Sequence, residues 1–234
     1  MYTTLLAGVI ALAPLVGGVL GGLIQLRTDL LTKSAGTFLG ALSGGAMLGV
    51  AYALAEQFPR DAGVSVILGS LTASGALFLA RRMTISDSGG DSSGSEESPL
   101  LVSSLHALVE GVAVGWTACW STPHAVFIGS VLAIHAVGEG SIDRRRLRTR
   151  GANGILRLGV ARGVGVAGAV VVTLVLDWAP QLADGALGFC VGGLVFLVLI
   201  DSLPKAYQNG GNTRVGLLVS AALGAVIMMR LVVQ

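Results

Sequence analysis

Charged side chains are scarce in this sequence. Only 12% of its 234 residues are Asp, Glu, Lys or Arg, against about 25% in an ordinary soluble domain. Hydrophobic residues make up 53% of the chain, 35 residues are glycine, and the mean hydropathy is +0.80. This composition excludes a soluble enzyme, a disordered chain and a nucleic-acid-binding domain. It is typical of a protein that crosses a membrane several times with short loops.

Cysteines are also few. The two that occur, Cys119 and Cys190, lie far apart in apolar stretches, so they form no disulfide or zinc framework. Basic residues are missing from the first four positions, and the apolar run that follows reaches Ile24. We therefore expect this run to be a first membrane span rather than a cleaved signal.

Eight apolar segments each have about the 20 residues that cross a bilayer as a helix. Helix is expected because a chain in lipid must satisfy its own backbone hydrogen bonds. The sequence therefore predicts an all-α polytopic membrane protein, with residues 1–234 forming a single transmembrane domain. The segments are 4–26, 36–57, 62–81, 99–120, 124–142, 155–176, 185–203 and 214–233.

The basic residues predict the orientation of these spans. If the N-terminus lies outside, almost all loop Lys and Arg residues fall on the inside, and only Arg60 falls in an outside loop. Eight spans then return the C-terminus to the outside. Residues 83–98, rich in Ser, Gly and acidic side chains, are predicted to be a disordered cytoplasmic loop. Residues 143–157 are predicted to be an arginine-rich cytoplasmic loop that contacts anionic lipid.

An internal similarity links the second and seventh segments. Residues 56–60 (EQFPR) and 201–205 (DSLPK) both read acid-x-x-Pro-basic, and both follow a Gly-Gly pair. The two segments cross the membrane in opposite directions. Such a pattern is typical of the inverted repeats found in transporters.

The ionisable residues inside the spans point to a metal site. His106 and Glu110 are four residues apart and share one helix face, and His135 and Glu139 repeat this spacing on the next helix. The short turn between the two helices makes them antiparallel neighbours. Two imidazoles and two carboxylates suit zinc, and iron, manganese or cadmium can use the same set. A proton relay without metal and structural polar packing are the alternative interpretations.

Two of these stretches resemble motifs of a known family. Residues 106–111 (HALVEG) resemble the HNxPEG motif in the fourth span of the ZIP metal transporters, and residues 135–140 (HAVGEG) resemble the H/Q-x-x-P-E-G motif of their fifth span. The resemblance implies eight helices in a 3+2+3 bundle, a homodimer, and transport of divalent metal, zinc above all, toward the cytoplasm. It also implies an integral protein of a prokaryotic inner or plasma membrane.

The sequence departs from this pattern in the ligands of a second metal. Ala107 and Ala136 stand where prokaryotic members with two adjacent metals have Asn and Asp, and Arg162 stands in the place of a glutamate. We therefore expect one metal ion, held by His106, Glu110, His135 and Glu139. Arg162 is expected to supply the missing positive charge by pairing with Glu110 or Glu139. The alternative is that it extends to the inside surface.

Three further residues are candidates for the ion pathway. Glu56 is predicted near the outside mouth, Asp201 near the inside exit, and Met47 in the second span as a transient ligand or as a packing residue. No enzymatic activity is expected. The alternative functions are a proton-coupled carrier of a small organic solute, a membrane haem-binding electron carrier with His106 and His135 as axial ligands, and a scaffold that transports nothing.

Overall fold

The computed structural model describes residues 1–27, 33–58, 63–86, 98–142 and 152–233, and these residues are helical almost throughout. They include a short 3-10 turn, Pro180–Leu182, and one π-helical turn, Val198–Ser202. The prediction of an all-α fold is confirmed for this part of the chain. The helices are α1 Tyr2–Arg27, α2 Lys33–Ala55, α3 Gly63–Ser86, α4 Ser98–Trp120, α5 Thr122–Ile142, α6 Ala152–Trp178, α7 Ala183–Leu197, α8 Leu203–Gly210 and α9 Asn212–Val233.

Seven helical stretches in the described ranges are long and apolar enough to cross a membrane. They comprise α1, α2, α3, α4, α6 and α9, together with the continuous run Pro180–Gln208 through α7 and most of α8. Helix α5 has 21 residues and is not among these seven stretches. It is packed against α1, α2 and α4. The chain is therefore an integral membrane protein of several spans.

Helical residues extend into both predicted loops. Helix α3 continues to Ser86, so the first residues of the predicted loop 83–98 are helical, and residues 87–97 lie outside the described part. Helix α6 begins at Ala152, so Arg157 lies in a helix and not in the predicted loop 143–157. Residues 143–151 are likewise outside the described part. The apolar segments predict which residues can cross the bilayer. They do not predict how far a helix continues beyond them with polar residues, as α3 and α6 do.

Helices α4 and α6 run parallel and approach each other through glycine. A Cβ built on Gly111 would lie only 1.8 Å from the carbonyl oxygen of Gly165, and one on Gly115 would lie 2.5 Å from that of Ala169. Residue numbers rise together along this interface, so the two helices have the same direction. Small residues allow this close contact between membrane helices.

The same type of contact joins α1 to α5. A Cβ on Gly17 would lie 2.4 Å from the carbonyl oxygen of Ala133, and one on Gly21 would lie 2.2 Å from that of Val137. These two helices are also parallel. Because α1 packs against α6 and α4 against α5 as well, we refer to α1, α4, α5 and α6 as the first helix group.

The remaining long helices pair in the same way. In α2 and α9, a Cβ on Gly45 would lie 2.4 Å from the carbonyl oxygen of Val219. In α7 and α3, a Cβ on Gly188 would lie 2.1 Å from that of Val66. We refer to α2, α3, α7 and α9 as the second helix group. The two groups meet where α2 contacts α5 and where α4 contacts α7, over a shared apolar core.

Candidate metal centre

Helices α4 and α5 bring their ionisable residues together. Only Ser121 separates Trp120, the last residue of α4, from Thr122, the first of α5. The connection is therefore tight enough to hold the helices side by side. The rings of His106 and His135 are stacked, with centroids 5.4 Å apart and planes inclined by 27°. Their Nε2 atoms are 3.3 Å apart.

Both carboxylates face these imidazoles. Oε1 of Glu110 lies 3.3 Å from Nε2 of His106 and 3.2 Å from Nε2 of His135. Oε1 of Glu139 lies 3.4 Å from Nδ1 of His106 and 3.6 Å from Nε2 of His135. The ligand atoms of His106, His135 and Glu139 all lie within 4.8 Å of one another. The four residues that the sequence singled out thus form one cluster with a donor set suited to zinc.

The cluster is enclosed by protein on most sides. His106, Glu110 and His135 are buried, whereas about a quarter of the Glu139 side chain (26%) is exposed. Glu139 is therefore the most exposed member of the cluster.

One buried oxygen in the cluster lacks a proper hydrogen bond. Oε1 of Glu110 has no partner of acceptable geometry in the described part of the chain, although the two imidazole nitrogens are close. An unsatisfied buried acceptor costs about 1–3 kcal/mol, and more when it is charged. A cation placed between this oxygen and the imidazole nitrogens would remove that cost.

Arg162 of α6 binds both carboxylates. Its Nη1 donates to Oε2 of Glu110 at 2.6 Å, and its Nη2 donates to Oε2 of Glu139. The side chain is buried, with only 4% of its surface exposed, so it does not extend to the inside surface. The predicted ion pair is confirmed, and it involves both acids rather than one. Gly18 of α1 leaves room for it, since a Cβ there would lie 3.2 Å from the Arg162 Nε.

The two oxygens of each carboxylate have different neighbours. In Glu110 and in Glu139, Oε2 binds Arg162 while Oε1 faces the imidazoles. Arg162 and an ion among the imidazoles therefore use different oxygens. With neutral imidazoles, two carboxylates and one guanidinium leave the cluster with a single negative charge.

A serine from the second helix group completes the surroundings. The hydroxyl of Ser43, on α2, forms a hydrogen bond with Nδ1 of His135, and both side chains are buried. Sequence reasoning missed Ser43. A single hydroxyl in an apolar helix is a weak signal, and its relation to His135 depends on how α2 packs on α5.

The two alanines of the altered motifs are buried and contribute no ligand atom. Ala136 is fully buried, and Ala107 lies at the α4–α6 contact. A Cβ on Gly165 would be 2.6 Å from the Ala107 carbonyl oxygen and 3.5 Å from its methyl group. Ala107 therefore belongs to the tight packing that holds α6, and Arg162 with it, against α4.

The predicted pathway residues lie in different surroundings. Met47 is fully buried within the main hydrophobic core, which agrees with the packing interpretation. Glu56 forms an ion pair with Arg230 at the end of α9. Asp201 lies 3.5 Å from the guanidinium of Arg81 at the end of α3. Each acid thus lies just after a helix, α2 or α7, and is paired with an arginine of the parallel neighbour of that helix, α9 or α3.

The helices and the cluster define a class of protein: an all-helical integral membrane protein with a buried group of two imidazoles, two carboxylates and a guanidinium. No protein-family model matches the chain, and no curated protein shows a significant match to it. The function is therefore argued from the chemistry of the cluster.

Proposed function

We propose that the protein transports a divalent metal ion, zinc above all, toward the cytoplasm through a single site formed by His106, Glu110, His135 and Glu139. The observation that carries the proposal is the position of Glu110 Oε1, which lies within 3.3 Å of Nε2 in both imidazoles and lacks a hydrogen bond of its own. Nitrogen and oxygen ligands from two adjacent helices suit zinc, and iron, manganese and cadmium are alternative substrates.

Transport is favoured over a purely structural role by the cost of the cluster. Ionisable residues within a membrane are expensive and typically mark ion or proton pathways. A structural network would be expected to satisfy its buried acceptors, whereas Glu110 Oε1 is left without a good partner. The partial exposure of Glu139 provides a side from which an ion reaches the cluster.

The arrangement of helices supports alternating access. The parallel pairs α2–α9 and α3–α7 carry corresponding acid–arginine pairs, Glu56 with Arg230 and Asp201 with Arg81. This correspondence is what an inverted repeat produces, and transporters with such repeats rock one helix group against another. An eight-span 3+2+3 bundle with both termini outside, a homodimer and a prokaryotic inner or plasma membrane belong to the same proposal.

A single ion is expected per chain. Ala107 and Ala136 provide no side-chain ligand for a second ion, and the guanidinium of Arg162 binds Oε2 of both carboxylates. A guanidinium is permanently charged and binds carboxylates through paired donors. Arg162 thus takes the place of a second cation.

Uptake into proteoliposomes tests the proposal directly. We expect zinc to accumulate in proteoliposomes that contain the wild-type protein, and we expect this uptake to be lost with His106→Ala. The matched control is His124→Ala, because His124 lies at the start of α5 and bonds with Ser121 instead of the cluster. The same uptake assay with manganese, iron and cadmium measures the selectivity of the protein among divalent ions. Equal zinc uptake by wild type and His106→Ala would contradict the proposal.

The competing functions are separated by direct binding. A proton-coupled carrier of an organic solute would use the same imidazole–carboxylate contacts but would bind no zinc in a titration of the purified protein. Haem coordination is disfavoured, because the porphyrin would have to pass between two Nε2 atoms 3.3 Å apart with a carboxylate oxygen beside them. A scaffold would bind neither metal nor haem.

A further inference from the structure

His135 is held by two different helix groups. Its Nε2 faces the cluster, 3.2 Å from Oε1 of Glu110, and its Nδ1 is bonded to the hydroxyl of Ser43. His106, Glu110, Glu139 and Arg162 all belong to the first helix group, whereas Ser43 belongs to α2 of the second group. The Ser43–His135 bond therefore crosses the interface between the groups.

The chemistry of a neutral imidazole gives this bond a consequence. One ring nitrogen carries the proton and the other carries the lone pair. An ion in the cluster needs the lone pair on Nε2 of His135, so the proton must be on Nδ1, where it is donated to the Ser43 oxygen. Partners of this kind orient metal-binding histidines and fix their tautomer.

The two histidines of the cluster are held in different ways. Nδ1 of His106 faces Oε1 of Glu139, 3.4 Å away, which is a residue of the same helix group. Gly138 lies where α2 crosses α5 near His135: a Cβ on Gly138 would be 3.8 Å from the Ser43 Cβ. The backbone of α5 thus lies beside Ser43 within one turn of His135, which keeps the hydroxyl within reach of the ring.

We propose that Ser43 is a positioning residue that holds His135 with Nε2 toward the ion and so makes metal affinity depend on the contact between α2 and α5. This inference rests on the proposed function. If α2 shifts relative to α5, as alternating access requires, His135 loses its orienting partner and the ion is bound less tightly. Binding strength is thereby linked to the relative position of the two helix groups.

Zinc affinity of serine variants tests this role in the full-length protein purified in detergent. We expect Ser43→Ala to weaken zinc binding by about 10–100-fold, the loss typical of removing such a partner. Ser43→Thr keeps the hydroxyl and should retain most of the affinity. The matched control is Ser130→Ala on α5, because the Ser130 hydroxyl bonds to the Val126 carbonyl of its own helix and is exposed. It should bind zinc like wild type.

A spectroscopic measurement separates positioning from folding. In ¹⁵N spectra of the zinc-bound protein, the His135 signals should show a metal-bound Nε2 and a protonated Nδ1, and this pattern should weaken in Ser43→Ala. Should Ser43→Ala fail to fold, Ser43→Gly also removes the hydroxyl, adds no new ligand and should likewise bind zinc less tightly. Unchanged affinity in Ser43→Ala or Ser43→Gly, or zinc on Nδ1 of His135, would overturn the inference alone. A wild-type protein that binds no zinc would overturn the proposed function as well.

Discussion

Arg162 holds Glu110 through one carboxylate oxygen and leaves the other turned toward the two imidazoles. The Nη1–Oε2 distance is 2.6 Å, whereas Oε1 of the same carboxylate lies 3.2 Å from Nε2 of His135. The carboxylate therefore joins the permanent positive charge of Arg162 to the position proposed for the metal ion.

Removing Arg162 should destabilise the protein in the absence of metal. Breaking one side of a buried ion pair costs about 3–5 kcal/mol, because the other charges are left uncompensated. We expect Arg162→Gln to unfold at a lower temperature in detergent, with partial recovery in excess zinc, since a bound ion stabilises the folded state. Arg157→Gln, an exposed position on the same helix, is the control and should change little. No loss of stability in Arg162→Gln would show that the ion pair is not structural.

Replacing Arg162 by a carboxylate should change the number of ions bound. Arg162→Glu removes the fixed cation and places three acids together, so charge balance favours a second divalent ion. Metal analysis of the purified protein should give about one zinc per chain for wild type and more than one for this variant. A count that stays the same, with unchanged stability, would remove the idea that Arg162 substitutes for a metal.

Glu110→Gln should abolish tight zinc binding while leaving the size of the side chain unchanged. It removes a negative charge and replaces one carboxylate oxygen by an amide NH₂ group, which is only a hydrogen-bond donor and cannot bind metal. Glu56→Gln is the matched control, because Glu56 pairs with Arg230 and lies about 20 Å along α2 from Ser43. We expect isothermal titration to detect zinc binding in Glu56→Gln and wild type only. Comparable binding in Glu110→Gln would place the ion elsewhere.

Glu56 should matter for stability more than for binding. Its side chain is a third exposed (33%), so its pair with Arg230 is expected to contribute about 1 kcal/mol or less. Glu56→Gln should lower the unfolding temperature slightly and retain zinc uptake, and a charge exchange with Arg230→Glu and Glu56→Arg should restore stability. If Glu56→Gln instead lost most of its zinc uptake with unchanged stability, Glu56 would be part of the ion pathway.

The contact between α4 and α6 should not tolerate a side chain at Gly111. A Cβ there would lie 1.8 Å from the Gly165 carbonyl oxygen, so the helices would have to separate and carry Arg162 away from Glu110. Overpacking typically costs about 1–3 kcal/mol, and Gly111→Ala should reach or exceed this. In Gly163→Ala, on the same α6, the new Cβ meets nothing within 4 Å. The unfolding temperatures of the two variants should be compared. Equal values would contradict the close contact of α4 with α6 at Gly111.

Much of the candidate site was predictable from spacing. His106 and Glu110, like His135 and Glu139, are four residues apart, and a helix places such residues on one face whatever the remaining fold. Because the turn between α4 and α5 is only one residue long, the two helices must lie side by side as antiparallel neighbours. Charge balance also predicted a partner for Arg162 among the acids. That it binds both depends on α6 lying parallel to α4, which the sequence does not specify.

Contacts between helices that are far apart in the chain could not be predicted from the sequence pattern. Ser43 and His135 are separated by 92 positions, and their bond depends on the register of α2 on α5. The same is true of Glu56, whose partner Arg230 lies at the other end of the chain. Apolar segments indicate which residues are in the membrane. Because almost every face of such a helix is apolar, the spacing of its apolar residues does not show which other helices it packs against.

The parallel pairing of helices has a consequence for how the chain is made. Each glycine-lined contact joins helices that are not consecutive: α1 with α5, α4 with α6, α3 with α7 and α2 with α9. During synthesis α2 therefore enters the bilayer long before α9 leaves the ribosome, and the glycines of α2 that contact α9 have no partner on that side until then. The second helix group is accordingly complete only after α9 has been made, and a chain that stops before α9 leaves α2 without this neighbour.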